Sequence, residues 1–132
     1  MVQVPPGGSI QSGVYKLLTE GSLPPGHVDH PASRSLCNSM ASAALEGLPF
    51  RSGYREVLGH EPPLTTRVRS GFHGTLDYIF LLGPPSLRPV EMLELPYDTA
   101  CGDDPRAETS FPSYPSTRFN SDHLALGLTI EI

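Results

Sequence analysis

Asp77 is the residue whose type and surroundings most need a chemical explanation. It is the only charged residue in the apolar run 75–82, whose sequence is TLDYIFLL. An ionised carboxylate inside a buried strand costs several kcal/mol unless a cation or strong hydrogen-bond donors meet it. Asp77 therefore must lie either at the solvent-exposed end of a strand or beside a specific hydrogen-bonding or charged partner. The sequence alone leaves a structural capping role and a functional role equally open.

A second candidate group is the triplet Ser121-Asp122-His123, which stands where a loop enters the last apolar segment. A histidine beside an aspartate at a strand end can act as an acid or base, or can hold a phosphate oxygen. Taken as a bare tripeptide, the pattern is more typical of a solvated histidine or one satisfied in the core. The chemistry of His123 thus depends on what the fold brings to it.

Phe72 lies between two glycines in the segment Gly71-Phe72-His73-Gly74. An aromatic ring raised on such a turn can stack on a nucleobase, a contact that contributes about 1–3 kcal/mol. A hydrophobic plug over the core is the alternative, and without further context it is the favoured one.

Other polar groups are interpreted as structural. The cluster His27-x-Asp29-His30 resembles a metal site but lies in a proline-flanked loop without a fourth ligand, which favours surface turn residues. The cysteines, Cys37 and Cys101, form no CxxC pattern and are expected to be free thiols. The net charge of −5 argues against binding long nucleic acid by electrostatics alone. Four arginines, at positions 51, 55, 67 and 69, are interpreted as ordinary surface charge.

Short elements separated by loops must position these residues. The spacing of apolar residues predicts a helix over 12–20, ended by Gly21, and two helical turns around Tyr54, Val57 and Leu58. Residues 64–68 and 90–95 favour strands, residues 75–82 favour a strand buried on both faces, and residues 124–132 alternate as a one-faced strand. Three or four strands cannot close a barrel or a two-sheet sandwich, so the sequence predicts an incomplete α/β layered fold.

The sequence also predicts a soluble protein without a membrane partner. No apolar run approaches the ~20 residues that cross a bilayer. Residues 1–10 have no basic start and no long apolar stretch, so we expect no signal peptide and no transit peptide. An intracellular, cytoplasmic or mitochondrial protein that is not secreted is the expectation.

Four segments in order resemble the endonuclease/exonuclease/phosphatase family: SGVYKLLTEGSLPPGHVD, SGYREVLGHEPPLTT, GFHGTLDYIF and PSTRFNSDHLAL. They are most similar to the branch of the 2′,5′-phosphodiesterase and the catabolite-repressor-type deadenylases. The resemblance implies the C-terminal half of a DNase-I-like four-layer α/β sandwich. On this basis residues 12–132 form a partial domain of that family, and residues 1–11 are a linker or an aberrant N-terminus.

The resemblance also implies an activity, Mg²⁺-dependent phosphodiester hydrolysis on RNA 3′ ends or oligoadenylate. His123 would lie against the scissile phosphate, Asp77 would fix its tautomer, and Asp122 would lie near the metal or the attacking water. Phe72 would stack on adenine. Asn120, which replaces a proline often found before the triplet, is the second substrate-binding candidate.

The chain departs from the family pattern at its start. Pro5-Pro6-Gly7-Gly8 stands where family members carry an Asp-x-Asn motif, and the metal-holding glutamate belongs to an N-terminal half that is missing. We therefore expect a truncated form with no complete metal site, inactive alone. The alternatives are a non-catalytic RNA- or protein-binding remnant and a relative that acts on small phosphate esters.

Overall fold

The computed structural model describes residues 12–30, 43–68, 71–96, 113–117 and 119–132. Within these ranges, short helices and strands follow one another along the chain. They are α1 (Gly13–Glu20), β1 (Ser22–Leu23), β2 (Ala43–Ala44), β3 (Arg51–Ser52), α2 (Gly53–Leu58), β4 (Thr66–Arg67), β5 (His73–Gly74), β6 (Phe80–Leu81), β7 (Arg88–Met92) and β8 (Leu128–Glu131).

Both helices begin at a serine and end at a glycine. The Ser12 side chain accepts a hydrogen bond from the Tyr15 amide at 3.2 Å, which satisfies one of the free amides at the start of α1. Gly21, with φ of 79°, ends α1 in the left-handed conformation that glycine adopts without steric cost. Ser52 caps the start of α2 and Gly59 caps its end in the same way. The helices predicted over 12–20 and around Tyr54 are confirmed.

In the described ranges the strands form four antiparallel pairs, β1 with β2, β3 with β6, β4 with β5, and β7 with β8. The longest pair joins β7 to β8, from Arg88 opposite Glu131 to Met92 opposite Leu128. Helices and short antiparallel strands together make a mixed α/β fold, as predicted. The four-layer sandwich stays a prediction.

The long buried strand predicted over 75–82 is wrong. Only β6 pairs with another strand, and Leu76 and Leu82 are 52% and 57% exposed. Between β5 and β6 the backbone is not paired in a named strand. The amides of Leu76 and Asp77 donate instead to the side-chain oxygen of Thr65, at 3.0 and 3.2 Å. A side-chain acceptor thus replaces the backbone acceptors of a neighbouring strand.

The final strand is also shorter than predicted. Of residues 124–132 only β8 pairs with another strand, and exposure rises along the segment from buried Leu124 to half-exposed Ile130. The strand predicted over 90–95 is observed as β7, which begins two residues earlier and ends three residues earlier than predicted.

The core cluster packs around Tyr54, whose hydroxyl donates to the carbonyl of Leu93 at 3.0 Å and accepts from the Gly127 amide at 3.2 Å. Leu64 and Leu124 belong to this cluster, and each directly precedes or follows a residue of the site described below. Burial of these two leucines therefore fixes the backbone beside the site. The buried members of the cluster are Tyr54, Leu64, Leu95, Tyr114 and Leu124.

A second group of aromatic rings joins α1 to β6. The ring of Tyr15 lies 5.1 Å from that of Tyr78 and 6.1 Å from that of Phe80. The Tyr15 hydroxyl donates to Glu61 at 2.5 Å, and burial together with this bond raises the pKa of Tyr15 to about 12. This cluster anchors the segment that directly follows Asp77.

Among the described residues no helix has the length and apolar character that a bilayer crossing requires. The predictions for residues 1–11, Arg69, Cys37 and Cys101 lie outside the described residues.

A candidate histidine–carboxylate site

The structure joins Asp77 to His123. The Nδ1 atom of His123 lies 2.7 Å from Oδ2 of Asp77, although the two residues are 46 positions apart in the chain. Their side chains are 39% and 35% exposed, respectively. The carboxylate of Asp77 thus has both a partner and partial access to water. Either one would have offset the cost of placing a charge in this apolar segment.

The segment 65–68 brings these two residues together because it pairs along both of its edges. On one edge the Thr65 amide donates to the carbonyl of Gly74 at 2.8 Å, and β4 pairs with β5. On the other edge the Leu124 amide donates to the carbonyl of Thr65 at 2.8 Å, and Thr66 forms an antiparallel bridge with His123. The turn before Asp77 and the segment that carries His123 therefore flank one common strand.

Thr65 contacts the carboxylate directly. Its hydroxyl donates to Oδ2 of Asp77 at 2.6 Å, and its side chain is fully buried. Sequence reasoning missed this residue. The available signal was a pair of threonines one residue after Pro62-Pro63, in a segment that was interpreted only as β-prone.

Thr66 holds the triplet that carries His123. Its hydroxyl donates to the backbone carbonyl of Asp122 at 2.6 Å, and the His123 amide donates to the side-chain oxygen of Ser121 at 3.1 Å. The residues Asn120 and Asp122 are exposed beside this loop. Asp122 therefore presents its carboxylate to solvent while its backbone is fixed.

The bond between Asp77 and His123 determines which ring nitrogen is available for chemistry. An ionised carboxylate only accepts hydrogen bonds, so Nδ1 of His123 carries the proton that it shares with Asp77. The Nε2 atom can then accept a proton, or donate one when the ring is charged. A half-exposed imidazole held in this way can act as a general acid or base, or can bind an anionic oxygen.

Phe72 directly follows the turn between β4 and β5 and is 41% exposed. The turn is closed by bonds from the Val68 amide to the Phe72 carbonyl at 2.9 Å and from the Gly71 amide to the Val68 carbonyl at 3.0 Å. Gly71 has φ of 94°, a conformation that favours glycine. An exposed ring beside a closed turn is suited to stacking, so the exposure of Phe72 favours stacking over the hydrophobic plug that the sequence alone favoured.

The structural interpretation of the His27-x-Asp29-His30 cluster holds in part. Asp29 accepts from the Gly13 amide at 2.8 Å, so it ties the loop to the start of α1. The expectation of surface residues is wrong for His30, which is fully buried. The surface interpretation is likewise wrong for Arg67, because β4 is paired on both edges and the side chain is only 6% exposed.

Among the residues that the structure describes, no three His, Cys, Asp or Glu side chains lie close enough together to hold a metal ion. Mg²⁺ is commonly held by one or two carboxylates together with waters and substrate phosphates. The exposed carboxylate of Asp122 could serve as one carboxylate ligand of Mg²⁺.

Comparison with known proteins finds one similarity. Over 85 residues the chain is 33% identical to the Arabidopsis thaliana protein "Carbon catabolite repressor protein 4 homolog 4". The matched region covers 64% of this chain and 18% of that protein, so the chain corresponds to less than a fifth of the relative. No family model and no solved structure matches the chain. The chain is therefore similar to part of a carbon catabolite repressor protein 4 homolog, in agreement with the branch that its four segments resemble.

Proposed function

We propose that this chain carries the histidine–carboxylate part of a Mg²⁺-dependent phosphodiesterase site that trims adenylate-rich RNA 3′ ends, either 3′-5′ poly(A) or 2′-5′ oligoadenylate. The observation that carries the proposal is the 2.7 Å bond between Nδ1 of His123 and Oδ2 of Asp77. The similarity to a carbon catabolite repressor protein 4 homolog supports the same class of activity.

His123 binds the scissile phosphate in this proposal. With Nδ1 committed to Asp77, the protonated ring donates from Nε2 to a phosphate oxygen. Negative charge builds on that oxygen when water attacks phosphorus, and a donor already in place stabilises it without reorganisation. Asp77 stabilises the positive charge on the ring.

Asp122 lies next to His123 in the chain and offers the carboxylate for the metal or for the attacking water. Bound Mg²⁺ would neutralise charge on the phosphate during attack. We also propose that hydrolysis needs metal ligands from residues beyond this chain, because the resemblance assigns metal binding to an Asp-x-Asn motif and a glutamate that have no counterpart in its four matching segments.

Phe72 and Asn120 complete the proposed substrate contacts. The ring of Phe72 would stack on an adenine, a contact that tolerates any base because every base has a flat face. Asn120 is exposed directly before the triplet and would lie beside the substrate backbone.

The decisive experiment compares AMP release from 3′-5′ and 2′-5′ oligoadenylate, with and without Mg²⁺. The proteins are this 132-residue chain and the longest protein that its gene encodes. We expect Mg²⁺-dependent release by the longer form and none by the chain alone. Asp77→Asn in the longer form should lower kcat by about 10²–10⁴, because the amide permits the wrong imidazole tautomer.

Glu131→Gln is the matched control, since it removes one negative charge from an exposed residue of β8 that pairs with Arg88. We expect its rate to equal that of the unmodified protein. Equal rates for Asp77→Asn and Glu131→Gln would refute the proposed site. Hydrolysis by the chain alone would refute the need for further ligands.

The exposure of Phe72 also favours a second candidate, a non-catalytic protein that binds RNA through this ring. Stacking requires no metal, so such a protein would bind oligoadenylate equally well in the presence of a chelator. Binding without hydrolysis in the chain and in the longer form would support this candidate over the enzyme.

A further inference from the structure

We propose that Thr65 is a positioning residue for the histidine–carboxylate pair: its hydroxyl fixes the Asp77 carboxylate and thereby selects the Nδ1–H tautomer of His123. The positioning is a property of the described geometry. Its consequence for catalysis rests on the proposed function.

The hydroxyl of Thr65 has a single direction in which it can donate. Its oxygen accepts two backbone amides, from Leu76 at 3.0 Å and from Asp77 at 3.2 Å. A hydroxyl has two acceptor sites and one donor hydrogen, so both acceptor sites are in use. The hydrogen is left for Oδ2 of Asp77, which lies 2.6 Å away.

This donation places the acceptor that the imidazole meets. Thr65 donates to Oδ2 of Asp77 and so holds this oxygen toward His123, and an oxygen of an ionised carboxylate carries no proton of its own. His123 contacts the same oxygen through Nδ1 at 2.7 Å, so Nδ1 must donate. The neutral ring is then held with Nε2 unprotonated, and two short donors converge on one carboxylate oxygen.

Thr65 is fixed by the surrounding structure, whereas Asp77 is less constrained and depends on its hydrogen bonds for its position. Thr65 is fully buried, and its backbone is bonded to Gly74 on one side and to Leu124 on the other. Asp77 is partly exposed and lies where the chain has left the strand ladder. Its carboxylate is held by the hydrogen bonds from Thr65 and His123, and the bond from the buried Thr65 is the one that comes from the fixed strand.

The test is ¹⁵N NMR of the His123 ring in the 132-residue chain, for the unmodified protein, Thr65→Val and Thr65→Ser. The unmodified protein and Thr65→Ser, which keeps the hydroxyl, should show the Nδ1–H form. Thr65→Val should lower the ratio of Nδ1–H to Nε2–H forms at least about tenfold, as expected for loss of a hydrogen bond to a charged group. An unchanged ratio in Thr65→Val would overturn the proposal.

Thr75→Val is the matched control, because it removes a neighbouring buried hydroxyl that bonds to the Pro62 carbonyl and not to Asp77. It should leave the ratio of the two tautomers unchanged. An equal drop in Thr75→Val and Thr65→Val would assign the effect to general damage of this region and overturn the proposal.

Thr65→Val also deprives two backbone amides of their acceptor, so a measurement that needs no variant completes the test. The hydroxyl proton of Thr65 in the unmodified chain should exchange slowly with water and give a resolved signal, because it is buried and bonded to a carboxylate. Exchange as fast as that of an exposed serine would overturn the proposal even where Thr65→Val does not fold.

These readouts do not depend on hydrolysis, so they separate this proposal from the proposed function. Where the longer form is active, Thr65→Val should lower kcat about tenfold or more with little change in KM, and Thr65→Ser should restore it. Failure of both unmodified forms to hydrolyse RNA would remove the proposed function and leave the NMR result as the measure of positioning.

Discussion

A charged side chain in an apolar segment is tolerated at Asp77 because three features act together. One carboxylate oxygen accepts two short hydrogen bonds, from Thr65 and from His123. The side chain also keeps about a third of its surface in water. The desolvation penalty is therefore smaller than for a fully buried ion, and the remaining penalty is offset by donors.

At the residue scale, Phe72 gives a prediction that separates binding from stability. Phe72→Ala should weaken oligoadenylate binding by about 1–3 kcal/mol, the usual loss of one base–aromatic stack. The free energy of unfolding should change by less than about 0.5 kcal/mol, because the ring is substantially exposed. Fluorescence anisotropy with a labelled oligoadenylate measures the first quantity, and urea unfolding of the longer form measures the second.

Two further substitutions are controls for the Phe72 prediction. Phe72→Tyr keeps a flat aromatic face and should bind as the unmodified chain does. Leu82→Ala removes a comparably exposed apolar side chain elsewhere and should have no effect on binding. Equal dissociation constants for Phe72→Ala and Leu82→Ala would show that the ring takes no part in recognition.

At the scale of elements, α1 is held to the rest of the chain by the ring cluster and by hydrogen bonds, including one from Tyr15. The Tyr15 hydroxyl donates to Glu61 at 2.5 Å, and Oε2 of Glu61 is buried with no hydrogen-bond partner among the described residues. A phenolate beside this carboxyl group would be both buried and close to negative charge. Folding therefore favours the neutral tyrosine, which is why the pKa is raised.

The raised pKa of Tyr15 predicts a loss of stability at alkaline pH. The pKa is 10.0 for an ordinary tyrosine and about 12 in the folded chain, so the folded state holds more protons than the unfolded state between these values. Stability from this group is thus complete below pH 10 and is lost as the pH rises from 10 to 12. Urea unfolding of the longer form at a series of pH values measures the decline.

Tyr15→Phe is the control for this pH dependence, because it keeps the ring and removes the ionising group. The variant should lose the part of the decline that belongs to Tyr15, together with an absorbance step near pH 12 at the tyrosinate wavelength. An identical decline and an identical titration in Tyr15→Phe would contradict the assignment.

At the scale of the whole molecule, the described strands form several small sheets and no large one. Each described sheet has two strands, extended at β4 by single bridges on its other edge, and a two-stranded sheet is only marginally stable in water. Large apolar side chains remain exposed on several elements, including Val14, Val90 and Ile130. Exposed apolar surface of this kind favours association with other chains.

We therefore expect the isolated chain to unfold without a sharp transition. Circular dichroism during heating should show a broad change, and sedimentation should show association that increases with protein concentration. Glu131→Gln serves here as a surface control that leaves both readouts unchanged. A sharp cooperative transition in a monomer would show that the small sheets form one stable unit.

The sequence by itself determined the features that depend on neighbours within one turn of chain. The apolar spacing over 12–20 and the glycine that follows it predicted the bounds of α1, because helix periodicity and the C-terminal capping bond involve residues only three or four apart. The isolated charge at Asp77 likewise predicted a need for either access to water or a partner from transfer energies alone. The resemblance, and not the spacing, supplied His123 as that partner.

Only the tertiary structure decided what reaches the carboxylate and which side chains are buried. The hydroxyl of Thr65 has no local pattern that marks it as a donor to Asp77, since the two residues meet through a turn of the chain. The same holds for the burial of His30 and Arg67 and for the departure of residues 75–79 from the strand ladder. These features depend on contacts between segments that are distant in sequence, and local preference does not encode such contacts.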